Sequence, residues 1–127
     1  MTYSVGFVMD PISSVKPHKD TSFAMMLEAQ KRGATIYYME QSDMYLDNGK
    51  AMASVRKVTV RDQATDFYDL SPRETIALSA INVLMMRKDP PFDSEFLYAT
   101  QMLSLAEAEG SLVVNNPQAL RDYNEKL

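Results

Sequence analysis

Tyr3-Ser-Val-Gly-Phe-Val-Met9, Thr21-Ser-Phe-Ala-Met-Met-Leu-Glu-Ala-Gln-Lys-Arg-Gly33 and Ala34-Thr-Ile-Tyr-Tyr-Met39 are the segments that decide the fold. The first is a short apolar run that stops at the turn-forming pair Asp10-Pro11, and it reads as a buried strand. In the second, Asp20, Thr21 and Ser22 supply N-cap types. Phe23, Met26, Leu27 and Gln30 then recur at helical spacing until Arg32-Gly33 closes the helix. The third, rich in β-branched and aromatic residues, predicts another strand. Strand–helix–strand implies a right-handed crossover to a parallel partner. Between strand and helix, Asp10 to Asp20 carries Pro11, Pro17, Lys16, Lys19 and the only histidine, His18. This stretch reads as a loop of about eleven residues, long enough to suspect a role.

Working outward, Met44-Tyr-Leu46 and the alternating Val55-Arg-Lys-Val-Thr-Val60 flank Asn48-Gly49, a strong hairpin signal, and so predict an antiparallel excursion. Ser71-Pro72-Arg73-Glu74 has the form of a capping box with proline at the first helical position, which predicts a short helix cut off by Ser79 and Asn82. Ile81-Asn-Val-Leu-Met-Met86 is nearly all apolar, as in a central strand covered on both faces. Arg87-Lys-Asp-Pro-Pro-Phe-Asp93 follows it. Asp93 or Ser94 then caps a long helix with Phe96, Ala99, Leu103 and Ala106 on one face, ended by Gly110. Leu112-Val-Val114 is a last strand, and Asn116-Pro117 opens a helix through Gln118 to Leu127. That helix has no stop signal, so a chain cut from a longer one is expected. The order implies one α/β layered domain with a mostly parallel sheet, helices on both faces and a β-hairpin excursion.

Composition limits the function. The 127 residues suit one core, and 46% hydrophobic with 24% charged residues is a globular balance. Thirteen Lys+Arg against seventeen Asp+Glu give a net charge of −4, with no basic run, which argues against nucleic acid or an anionic membrane surface as partner. There is no cysteine, which removes disulfide scaffolds, thiol catalysis and zinc-thiolate sites. No signal sequence or run of roughly 18 apolar residues is present, so a cytoplasmic location is expected. Ten methionines read as adaptable core filler. The four glycines stand singly at 6, 33, 49 and 110, leaving no dinucleotide fingerprint and no phosphate-cradling loop. His18 lacks a nucleophile-elbow companion, so a hydrolytic triad is a weak reading.

The candidate site follows from topology. In open parallel sheets, ligands bind beyond the carboxyl ends of strands where the strand order reverses. Those ends carry Asp10 and the Arg87–Asp93 segment. Arg87 offers a forked donor set for a carboxylate or phosphate, Asp89 or Asp10 is a partner for an ammonium, and Phe92 is a candidate wall. Ser22, at the start of the first helix, adds donors that suit an anion. The competing structural reading makes the Arg-Lys-Asp group a solvated turn with a local ion pair, and Pro90-Pro91 a device for entering the helix.

Val8-Met-Asp-Pro-Ile12, Lys19-Asp-Thr-Ser-Phe-Ala-Met25 continuing through Leu27-Glu-Ala-Gln-Lys-Arg-Gly33, Met86-Arg-Lys-Asp-Pro-Pro-Phe-Asp93, and Gln118-Ala-Leu-Arg-Asp-Tyr-Asn-Glu-Lys-Leu127 together resemble the N-terminal domain of bacterial glutathione synthetase. The four segments are collinear over nearly the whole chain; the region from about Val55 to Ser79 is much less recognisable, so no family residue role is carried onto it, and Asn116 stands where a lysine is expected. The resemblance implies an ATP-grasp ligase that joins γ-glutamylcysteine to glycine, with ATP cleaved to ADP and phosphate. The route it implies is an acyl phosphate on the cysteinyl carboxylate. It also implies that residues 1–127 are the Rossmann-like substrate domain preceding the ATP-grasp portion, that ATP and Mg2+ bind outside this chain, and that the chain alone is inactive. The alternative is a stand-alone α/β binding or protein-interaction module. Exposed apolar positions on the hairpin or second long helix are candidates for a two-fold contact, so a homo-oligomer is among the partner classes.

Overall fold

A computed structural model describes residues 3–16, 21–63, 65–87 and 94–114; for Thr21, residues 94–100 and Val114 it describes the backbone path alone. The expected strand–helix–strand unit is present as β1 (Ser4–Met9), α1 (Thr21–Lys31) and β2 (Thr35–Met39). The hairpin forms β3 (Met44–Asp47) and β4 (Lys50–Val60), followed by β5 (Tyr68–Leu70) and β6 (Glu74–Ala77). Then come β7 (Val83–Arg87), α2 (Ser94–Ala108) and β8 (Leu112–Val114). The predicted helix from Gln118 to Leu127, and residues Asp89, Pro90, Pro91, Phe92, Asp93, Asn116 and His18, lie outside the described residues. Within the predicted loop, Ile12–Ser14 makes a 3-10 turn closed by Ser14 N–H to Pro11 O at 2.9 Å.

The sheet runs β3-β4-β2-β1-β7-β8, with β5 and β6 also paired to β4. β1 is parallel to β2 and to β7, and β7 to β8. The expected mostly parallel sheet is corrected here: among the described residues it is mixed, because β4 pairs antiparallel with β2, β3, β5 and β6. The hairpin is therefore no excursion but the continuation of the sheet. β3 and β6 both pair with Met52 and Ala53, so they lie on opposite edges of β4. The helix expected after Ser71-Pro72 is likewise corrected: Glu74–Ala77 is a strand and Leu78–Ala80 a 3-10 turn. A strand edge open on β4, together with β-branched Thr75 and Ile76, outweighs a local capping signal.

Helices cover both faces. Val5, Phe7 and Met9 of β1 pack with Phe23 and Met26 of α1 in one buried cluster. Val8 belongs with Met102, Leu103 and Ala106 of α2 in the other. β4 passes between the two layers. Ala51, Ala53 and Val55 are buried in the α2 cluster, whereas Val58 and Val60, of opposite parity, are buried in the α1 cluster. The phase changes at Arg56-Lys57, where β2 crosses against β4. Gln30 of α1 holds the far end of β4: its amide accepts from Val60 N–H at 2.8 Å and donates to Val60 O at 2.9 Å, as a neighbouring strand would. Met9, Met26, Met39, Met44, Met86 and Met102 are buried, consistent with methionine as core filler.

Candidate functional site

β2 lies on one side of β1 and β7 on the other, so the strand order reverses between β1 and β7, where ligands gather at carboxyl ends in open α/β sheets. Parallel register sets Met9 opposite Arg87. Asp10, the next residue, therefore leaves the sheet beside Arg87, at the same end of the molecule. Both are half-buried.

α1 starts at this end too. Ser22, 6% exposed, accepts a hydrogen bond from Arg87 Nε at 3.0 Å. The contact spans 65 residues of chain and joins two of the candidate residues directly. Its chemistry is specific: Ser22 is neutral, so the bond orients the guanidinium without cancelling its charge, and a guanidinium carries four further N–H donors on its terminal nitrogens. Asp89, the fourth candidate, lies outside the described residues.

Sequence reasoning missed the support behind Asp10. Ile12, 3% exposed, opens the 3-10 turn, so its N–H has no partner within the turn. It donates instead to the Tyr38 hydroxyl at 3.1 Å, and that hydroxyl donates to Glu40 Oε2 at 2.6 Å. Burial, then the Glu40 carboxylate, pushes the Tyr38 phenol well above its ordinary range, while the Ile12 N–H pulls the other way. Glu40 N–H in turn donates to Asp43 Oδ2 at 2.8 Å, and Asp43 pairs with Arg73 at 3.1 Å. The one signal in the sequence is that Tyr38 and Glu40, two apart on an extended chain, share a face.

A second concavity, of about 540 Å³, lies between β3 and α2, lined by Met44, Tyr45, Leu46, Gln101, Met102 and Leu105. It shares no residue with the Asp10–Ser22–Arg87 group. Among the described residues, no group of three or more His, Cys, Asp or Glu is placed to hold a metal ion. No helix among them is long and apolar enough to cross a membrane.

Residues 3–121 match the family described as prokaryotic glutathione synthetase, N-terminal domain. The chain is 52% identical over 127 residues to the glutathione synthetase of Vibrio vulnificus strain YJ016, covering 100% of this chain and 40% of that protein. It is 54% identical over 123 residues to that of Vibrio cholerae, and 53% over 123 residues to that of Salmonella typhimurium. Each of these two covers 97% of this chain and 39% of the relative. The chain thus spans about 40% of the length of the curated relatives it matches.

Proposed function

The chain belongs to the prokaryotic glutathione synthetase N-terminal domain family, and from that premise we propose that it forms the substrate side of a ligase joining γ-glutamylcysteine to glycine at the expense of ATP. In this reading residues 1–127 are one substrate domain of a cytoplasmic enzyme. ATP and Mg2+ bind in the portion of the relatives that this chain does not span. The observation that carries the reading is the Arg87–Ser22 hydrogen bond beside the turn bearing Asp10.

γ-Glutamylcysteine presents an α-carboxylate and an α-ammonium at one end and a cysteinyl carboxylate at the other. Arg87, held at Nε by Ser22, takes a carboxylate on the end-on fork of its terminal nitrogens. The glutamyl α-carboxylate is the better match, because a carboxylate clamped by a guanidinium is a poorer nucleophile, and the cysteinyl one must react. Asp10 and Asp89 take the ammonium. Ser22 acts mainly by orienting Arg87, with its own proton available to the same carboxylate. In the full-length enzyme, Arg87→Ala lowers kcat/KM for γ-glutamylcysteine by a factor equivalent to about 2–5 kcal/mol, the loss that follows truncating one partner of a desolvated charged contact. Kinetics equal to wild type would return Arg87 to a structural role.

A further inference from the structure

We propose that Tyr38 is a positioning residue for the substrate site, latching the turn that carries Asp10 through the Ile12 N–H. The inference rests on the reading of Asp10 and Arg87 given above, and adds a residue that reaches neither substrate nor Arg87. β1 and β2 are parallel, with Phe7 opposite Tyr38, so Tyr38 stands alongside the strand whose end it secures. Asp10-Pro11-Ile12 has no strand partner beyond Met9. The buried Ile12 side chain and the bond from Ile12 N–H to the Tyr38 hydroxyl tie this turn to β2.

Glu40 sets the direction of that bond. An ionised carboxylate only accepts, so the phenol must spend its one proton on Glu40, which turns a lone pair of the oxygen toward Ile12. A phenol without Glu40 is free to rotate and present its proton instead, and two donors then face each other. Burial, and then Glu40, raise the Tyr38 titration, so the phenol keeps its proton across the physiological range. A buried N–H deprived of its acceptor costs more than the bond itself contributes, so the turn is expected to shift until water or another acceptor reaches Ile12.

The experiment uses the full-length enzyme with Tyr38→Phe, which keeps the ring and removes the hydroxyl. Protection of the Ile12 amide against hydrogen exchange is expected to fall about three- to tenfold, and KM for γ-glutamylcysteine to rise by a similar factor. kcat, and KM for ATP and glycine, are expected to stay within about twofold of wild type on the same scale of a single hydrogen bond. A purely structural tyrosine would lower thermal stability without this split. Glu40→Gln by itself, with Tyr38 intact and an amide oxygen that still accepts from the phenol, should retain most of the protection. If Tyr38→Phe does not fold, Glu40→Ala tests the same latch, with the same loss of Ile12 protection and the same KM split expected. Wild-type Ile12 exchange in the variant that folds overturns the latch. Lost protection with an unchanged dipeptide KM overturns the positioning role while Arg87→Ala still reports on the site. An inert Arg87→Ala, by contrast, removes the site assignment without touching the Ile12 measurement.

Discussion

Two arginines show how differently one side chain serves the molecule. Arg87 donates through Nε to a neutral, buried hydroxyl, which fixes its plane and keeps its charge. Arg61 is spent on structure. Its Nε holds the Asp66 carbonyl at 2.9 Å, and its terminal nitrogens pair with Asp66 and Asp69. It thereby closes a turn in which Asp66 adopts a left-handed backbone, φ 51°. The hydrogen bond from Arg61, and then its charge, hold the Asp69 carboxyl below its ordinary value, against a small opposing effect of burial. A depressed carboxylate contributes stability above its unfolded pKa and loses it as the pH falls through the folded value. Arg61→Gln should therefore bring the Asp69 midpoint up toward that of a free aspartate in a carboxyl NMR titration. The stability gap between the two proteins should be widest near neutral pH and narrow in acid. An Asp69 midpoint that does not move on substitution would show that the pairing is absent in solution. Exposure of the pair limits the effect to a modest one.

At the scale of elements, the hairpin is the clearest case of a local signal deciding structure. Asn48 and Gly49 both take positive φ, 52° and 78°, the geometry whose twist matches two antiparallel strands. A Cβ at Gly49 would meet nothing within 4 Å, so substitution there tests the backbone alone. Gly49→Val should lower the unfolding free energy by about 1–2 kcal/mol, read as a shift of the urea midpoint at constant slope. An unshifted midpoint would rule out this turn geometry. The same reasoning explains what the sequence showed. β1, α1, β2, the hairpin and β7 announce themselves through periodicity, caps and turn residues within a few positions. β6 does not, because Ser71-Pro72-Arg73-Glu74 imitates a helix start, and the decision falls to the edge of β4 some twenty residues earlier. The mixed character of the sheet was hidden for a related reason: all the antiparallel pairings that displace the parallel reading involve β4. A strand's own residues do not say how many partners it will have. Asp10, Ser22 and Arg87 were legible as a group, since strand ends and a helix start follow from the element order. Tyr38 was not, because its part depends on the lateral register of β1 against β2.

Across the whole molecule, the two apolar clusters, one under each helix, meet along the sheet, and the candidate site sits at the carboxyl end of their shared central strands. In the reading proposed above, that placement serves a small zwitterion, and the phosphoryl chemistry falls to the rest of the full-length enzyme. Transfer of a γ-phosphoryl group is carried almost wholly by positioning and by cationic or backbone donors arrayed around the phosphates. The glycines that such a cradle would need are committed to other tasks. Gly6 lies where a Cβ would come within 3.1 Å of Met39, Ile81 and Leu84 atoms, Gly49 makes the hairpin, and Gly33 and Gly110 end the helices. The division of labour proposed above then has a direct consequence for the 127-residue chain by itself. Incubated with ATP, Mg2+, γ-glutamylcysteine and glycine, it should release neither glutathione nor ADP above the uncatalysed background. The full-length enzyme under the same conditions should release both in equal amounts. ADP and glutathione formed stoichiometrically by residues 1–127 alone, and abolished by Arg87→Ala, would mean that this domain carries its own nucleotide site and that the assignment of ATP to the rest of the enzyme is wrong.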